Sequence, residues 1–454
     1  MTPESTDEGR RHDVPSIKQA AWSRRIVNRR RDAVSRSMEM AFAVKIHPGL
    51  DTETLQRALS RVVERHVELR SIFVPHMDGF RVESLPVKRF QVESYDMSGA
   101  SWDTVHRAIR QTVDAGFPSL QAPLIRLRTY RIAGEGAVLL FQVHHLVSDS
   151  WSVEIVFRDL MAAYLAGGGR VWSGATPQTF EDFVDWEDEF ISSAAGVAAR
   201  AFWTSQLETM IEPVALPYDR THSTEQIERG GVIRFSFSES LTADIDHLAA
   251  SLRVTRFSLL LSLFALTVRR IGGASFVPIG VPVARRATRG LLELVGDTAQ
   301  MIYVGLSPPS NARDFTFFLQ SAKSIDESFE HQDFPVQLAI DDLGQQLPAK
   351  PGFKQLCFSM LTPQKNDVLG LGALFQDVPG QVVKVPGYRA ETIALCDNGC
   401  SRDLRLNFST RDARVYFTLV YNADAFEPAT AERLVEAFVA VAQEVVADGY
   451  EPLA

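Results

Sequence analysis

His144, His145 and Asp149, in the run HHLVSDSWS, are the residues of this chain best suited to chemistry. An imidazole titrates near neutrality and can take a proton from an attacking amine or hydroxyl, so the set suits acyl transfer at a carbonyl carbon. The elements that must position it are legible on both sides. Ala137 to Val143 (AVLLFQV) reads as a buried strand, and SVEIVFRDLMAAYLAG as a helix whose N-cap is Ser148, Asp149 or Ser150. The cluster is therefore predicted at a strand-to-helix turn, where backbone N–H groups and the positive end of the helix dipole would add to the base. Neighbouring strand residues point to opposite faces, so one histidine faces a cavity and the other is held beneath it. The same geometry argues against a metal shared by His144, His145 and Asp149. A polar knot that simply finishes the strand is the alternative reading of these residues.

The chain has 454 residues, 45% hydrophobic and 23% charged, which suits a globular enzyme of two sizeable lobes, and its mixture of helical and strand-like runs fits an α+β class. A net charge of −9 argues against nucleic acid as a general partner. The N-terminal residues carry no apolar signal core, and no apolar run reaches the length of a membrane span, so a cytoplasmic location is expected. Cys357 reads as a core residue in a strand, and Cys396 and Cys400 as loop residues without further metal ligands. Residues 1–14 read as a disordered leader, 15–178 as an N-terminal lobe and 179–454 as a C-terminal lobe, with the break marked by Ala166-Gly167-Gly168-Gly169. Helices are predicted over 51–66, 242–253, 255–271 and 429–447. The strands LRLNFST and ARVYFTLVY, parted by Arg411-Asp412, suggest a hairpin.

HHLVSDSWS resembles the HHxxxDG motif of the condensation domains of nonribosomal peptide synthetases, within the chloramphenicol-acetyltransferase-like superfamily. Further segments follow in the family's order. SIKQAAW from Ser16 resembles SxxQxxxW, RHVELRSIF from Arg65 resembles RHExLRTxF, and PQTFEDFVDW from Pro177 resembles YxDFAxW. LPYDR from Leu216 resembles LPTDR, HQDFP from His331 resembles HQDxPFE, and YNADAFEPATAERLVEAF from Tyr421 resembles YNTDLFDxxTIxRLxxHF. The resemblance implies two chloramphenicol-acetyltransferase-like lobes arranged as a V with a central substrate channel. It implies natural-product chemistry, such as antibiotic biosynthesis: an acyl or aminoacyl group passes from a phosphopantetheine thioester on a carrier protein, acting in trans, to an amine or hydroxyl. No cofactor is bound in that scheme.

Carried over by position, His145 is the imidazole that meets the nucleophile and His144 its supporting neighbour. Asp149 pairs with an arginine of the other lobe, and GVPVARR, aligned with GTPVAGR, makes Arg286 that partner. Arg285 then stands where the family has glycine. Ser150 replaces the motif's glycine, Trp151 follows it, and Gln300 replaces an asparagine; all three are assigned to the substrate channel. Arg24, Arg25 and Arg29, with Arg30 and Arg31, read as a solvated face or as a dock for an acidic carrier or its phosphate. Without adenylation or carrier motifs, the chain is expected to be a free-standing condensation enzyme, unless it is a piece excised from a larger synthetase. A coenzyme-A-dependent acyltransferase and a non-catalytic recruitment module are the alternatives.

Overall fold

The computed structural model describes residues 39–447, with 77–78, 135, 170, 173–176, 221–228, 287–290, 313, 345–346, 349–350, 364–368, 377–379, 394 and 396–401 excepted. The leader, the arginines Arg24 to Arg31, and Cys396 and Cys400 lie outside the described residues. In chain order the first elements are β1 (Glu39–His47), α1 (Thr52–Arg65), β2 (Ser71–His76), β3 (Gly79–Ser84), β4 (Val92–Asp96), α2 (Trp102–Ala115), β5 (Ile125–Ile132), β6 (Gly136–His144), α3 (Ser150–Leu165), α4 (Phe180–Ser192) and α5 (Ala194–Thr209). There follow β7 (Gly230–Ser236), α6 (Glu239–Leu252), α7 (Arg256–Gly272), β8 (Val277–Val283), β9 (Gln300–Leu306), α8 (Phe315–Glu330) and α9 (Val336–Leu343). The last are β10 (Leu356–Met360), β11 (Val382–Val385), β12 (Tyr388–Ile393), β13 (Leu404–Arg411), β14 (Arg414–Asn422) and α10 (Pro428–Val446).

Two compact α+β units result, and each draws on separate stretches of chain. Among the described residues, the first takes those up to Trp186 together with those of Arg286–Thr298 and Pro363–Leu395; the second takes those of Glu187–Arg285 and Ala299–Thr362 and those that follow 401. This differs from the contiguous lobes, 15–178 and 179–454, read from the sequence. The physical reason is strand pairing: β12 docks antiparallel on the edge of β1, with Ala43 opposite Ile393 and His47 opposite Arg389, and so carries a late segment into the first unit.

The first unit is built on a six-stranded sheet of order β11-β12-β1-β6-β5-β4. β6 lies between β1 and β5, and every residue from Ala137 to His144 is buried, which is why its sequence is apolar on both faces. The helix α1 starts at an Asp51 cap that accepts from the Thr54 N–H at 2.8 Å, and it buries Leu55, Ala58, Leu59, Val62 and Val63, a spacing that makes one face. These side chains and those of α3 share one apolar cluster, so the helix that follows the His turn is packed along its length.

The second unit has a six-stranded sheet of order β7-β14-β13-β10-β8-β9. Its helix α7 buries each residue from Ser258 to Val268, and Cys357 lies buried in β10. The β13–β14 hairpin turns at Asp412 and Ala413, one residue beyond the predicted pair, with both in the left-handed region at φ 48° and 60°. Among the described residues, no single helix is long and apolar enough to cross a membrane.

Candidate active site

The strand β6 ends at His144, residues 145–147 form a turn, and α3 begins at Ser150. The cap is Asp149: its backbone is extended (φ −126°, ψ 179°), and its Oδ1 accepts from the Ser152 N–H at 2.8 Å. Ser150 is exposed, and it is not among the residues with positive φ. The glycine of the family motif is therefore not required here by the backbone, and the serine costs no left-handed strain.

The two histidines differ in burial. His144 is 2% exposed; its Nδ1 accepts from the Leu146 N–H at 3.1 Å, and its ring meets Phe117 edge-on at 5.8 Å. An Nδ1 that accepts carries no proton, so a neutral His144 holds its proton on Nε2. His145 lies past the strand end and is part-exposed. Of the pair, it is the one that a solute can reach.

Asp149 is 1% exposed and is surrounded by donors. Arg286, itself 1% exposed, gives its Nη2 to both carboxylate oxygens at 2.7 Å. Ser152 adds its Oγ at 2.8 Å, and Thr298 adds its N–H at 3.1 Å and its Oγ1 at 3.2 Å. Arg286 also reaches the carbonyl oxygens of Leu294 and Gly296. Burial works against the Asp149 charge, but the Arg286 cation and the Ser152 bonds outweigh it and hold the carboxyl below its ordinary range. With every oxygen committed to partners, Asp149 fixes the turn and is not available to move protons. Arg286 falls in the same compact unit as Asp149, because Arg286–Thr298 is one of the stretches that returns to it; the expectation of a partner from the other lobe is corrected accordingly.

A second buried charge network braces α3 from beneath, and sequence reasoning missed it. Asp159 accepts from His66 Nε2 at 2.9 Å and from the Arg158 guanidinium at 2.8 and 2.9 Å, with Arg65 at 3.4 Å. Arg158 continues to Glu293 at 2.5 Å. Burial pushes the His66 imidazole down despite Asp159, so it is neutral at pH 7. The signal was present in RHVELRSIF and in the charged pair Arg158-Asp159, but not their pairing over 93 positions.

Glu68, in the same motif, accepts from the Phe180 N–H at 2.8 Å at the start of α4, and burial pushes its carboxyl up from 4.5 to about 7. The folded state keeps this proton while the unfolded chain loses it, so the group's contribution falls as pH rises from 4.5 to about 7 and stays flat above that. Glu68→Gln is expected to remove that slope and to raise the melting temperature at pH 8 relative to the parent, as read by thermal melts across pH.

The remaining candidates are placed as follows. Trp151 packs partly against the first unit's core and gives its indole N–H to the Leu292 carbonyl at 3.0 Å. Gln300 is part-exposed at the start of β9. Its Nε2 donates to the carbonyls of Gln332 and Phe334 at 2.5 and 2.8 Å, and its Oε1 accepts from the Val336 N–H at 3.1 Å, so it clamps the HQDFP loop. Arg285 has φ 56°, which explains the family's glycine; a side chain there costs about 1–2 kcal/mol locally. Among the described residues no group of three or more His, Cys, Asp or Glu is arranged to hold a metal ion.

The strand-to-helix turn thus presents one histidine, seats its neighbour and buries an Asp–Arg latch, all on a mixed α+β scaffold. The chain belongs to the condensation-domain family, whose model matches residues 24–454. It is similar to chondramide synthase cmdD of Chondromyces crocatus, 26% identical over 92% of this chain and 10% of that protein. The chain thus spans about a tenth of the length of this curated relative. Among solved structures it is similar to SgcC5 of Streptomyces globisporus, in complex with a naphthyl ethanediol and sucrose (TM-score 0.73, 19% identity, 92% of this chain and 94% of that one). It is also similar to the starter condensation domain of rhizomide synthetase RzmA in complex with C8-CoA (TM-score 0.77, 17% identity, 95% of each chain). A third is the X-domain of teicoplanin biosynthesis in complex with OxyB (TM-score 0.77, 19% identity, 99% of this chain and 95% of that one).

Proposed function

We propose that this chain is a condensation enzyme that transfers an acyl or aminoacyl group from a carrier-protein phosphopantetheine thioester to an amine or hydroxyl acceptor. The observation that carries the reading is the division within the histidine pair: His144 is seated and His145 is reachable. The acceptor's nitrogen or oxygen attacks the thioester carbonyl carbon while His145 takes its proton. The tetrahedral adduct collapses by breaking the carbon–sulfur bond, and the proton passes to the departing thiolate. The products are an amide or ester and a free phosphopantetheine thiol, with no acyl-enzyme. The hydroxyls of the diol bound to SgcC5 keep an ester product within the proposal beside an amide.

The C8-CoA bound to the RzmA starter domain favours one second reading, a soluble coenzyme A thioester as donor. A comparison of donors decides between them. With one acyl group offered on a carrier protein or on coenzyme A, kcat/KM is expected to be higher for the carrier. Equal or better use of coenzyme A would assign the chain to the soluble-donor class. The X-domain complex with OxyB supports a recruitment module, for which neither donor would turn over.

A further inference from the structure

Residues 291–298 lie against the start of α3 and are held there at three levels. Trp151 donates to the Leu292 carbonyl, Arg158 donates to the Glu293 carboxylate, and Gly296 enters the Asp149 cluster with its backbone alone. The Gly296 N–H donates to Ser152 Oγ at 3.0 Å, and its carbonyl accepts from Arg286 Nη2 at 2.9 Å and from the Thr298 N–H at 3.2 Å. Both backbone polar groups of Gly296 are thus committed to the latch. It has no side chain with which to anchor itself.

Phe180, the first residue of α4, supplies the anchor. A Cβ placed on Gly296 would stand 2.6 Å from Phe180 Cδ2 and 3.3 Å from Leu294 Cδ2, so the ring closes on the bare Cα at a distance that only glycine permits. Phe180 is 5% exposed, and its ring is backed by that of Phe183 at 5.5 Å. Its backbone is fixed as well. The first N–H groups of a helix have no partner within it, and here Glu68 Oε1 accepts from the Phe180 N–H at 2.8 Å, while Thr179 and Asp182 cap one another. Glu68, Phe180, Gly296 and the residues of the latch all belong to the first compact unit.

We propose that Phe180 is a positioning residue: Glu68 sets its backbone, its ring seats Gly296, and Gly296 in turn holds Ser152 and Arg286 against Asp149, the cap of the turn that carries His145. Only the consequence for turnover rests on the acyl-transfer reading; the brace itself does not.

Hydrogen–deuterium exchange on the full chain tests the brace at the amides of Ser152, Gly296 and Thr298, which donate to Asp149 Oδ1, Ser152 Oγ and Asp149 Oδ2. Phe180→Ala is expected to speed all three about tenfold or more. Phe90→Ala opens a cavity at a similarly buried residue in the core of the same unit, so it measures any general loosening, and the three amides are expected to stay near the parent's rates. Glu68→Ala removes the acceptor of the Phe180 N–H and is expected to speed the same amides, whereas Glu68→Gln keeps an acceptor there and is expected to hold them at the parent's rates. This pair serves as the test should Phe180→Ala not fold. In a carrier-dependent assay of Phe180→Ala, kcat is expected to fall about tenfold or more while KM for the carrier stays constant, because the turn that carries His145 loses its setting. Exchange no faster in Phe180→Ala than in Phe90→Ala, or equal in Glu68→Ala and Glu68→Gln, overturns the proposal, whether or not the protein transfers acyl groups. Absence of transfer by the unmodified chain overturns the functional reading and leaves the exchange rates to decide this one.

Discussion

His145→Ala is expected to lower acyl transfer by roughly 10²–10⁴-fold, the usual contribution of a positioned general base, with the melting temperature and circular dichroism of the parent retained. The expectation follows from where the residue sits. His145 is in the turn after β6 and part-exposed, so its removal empties no core site. His144→Ala provides the contrast. That substitution strips the Leu146 N–H of its acceptor and leaves a void beside Phe117, and a buried donor left without a partner costs about 1–3 kcal/mol. A loss of turnover with an unchanged melt at 145, and a lowered melt at 144, would together show that the pair is split between chemistry and support. The reverse pattern would exchange the two roles.

Asp149→Asn is expected to destabilise the protein more than any other single change at the site, by about 3–5 kcal/mol, because it leaves the Arg286 cation buried without its counter-charge. For a unit of this size that is a fall in melting temperature of about 10 °C. The pH dependence follows from the depressed Asp149 carboxyl. A group whose folded-state pKa lies below its unfolded value stabilises above the unfolded value, 3.8, and loses that contribution as pH falls through the folded one. The gap between parent and variant should hold from neutrality down to about pH 4 and close only in stronger acid. Asp149→Asn/Arg286→Met, which removes both charges, should regain part of the loss. Equal melts for parent and Asp149→Asn at pH 7 would contradict the latch.

The local elements were legible because each carries its own signal. The apolar run Ala137–Val143 lies within β6, and the predicted helix over 51–66 is α1 at Thr52–Arg65. The long apolar helix over 255–271 is α7 at Arg256–Gly272. The division of the chain was not legible, since the docking of β12 on β1 joins residues some 350 positions apart by backbone bonds that leave no pattern in either strand. The site shows the same contrast. The turn follows from the order strand, polar cluster, helix; the choice of Asp149 over Ser148 and Ser150 as its cap does not. The brace of His66 on Asp159 does not, because a histidine in a helix-ending motif and an aspartate mid-helix each have many local explanations. The bonds that Gln300 makes to three backbone groups of residues 332–336 had no signal in the sequence either, because they join segments more than thirty positions apart. Arg285 was marked as a departure from glycine, and the left-handed φ supplies the cause.

The measurement that tests the central claim most directly is an intact-mass time course of the purified protein, an acyl-loaded carrier and an amine or alcohol acceptor, run in parallel with His145→Ala. The account predicts that the acyl mass leaves the carrier and appears on the acceptor, that the enzyme's own mass never changes, and that the variant leaves the carrier loaded. An acyl group found on the enzyme, or transfer at the parent's rate by His145→Ala, would contradict it.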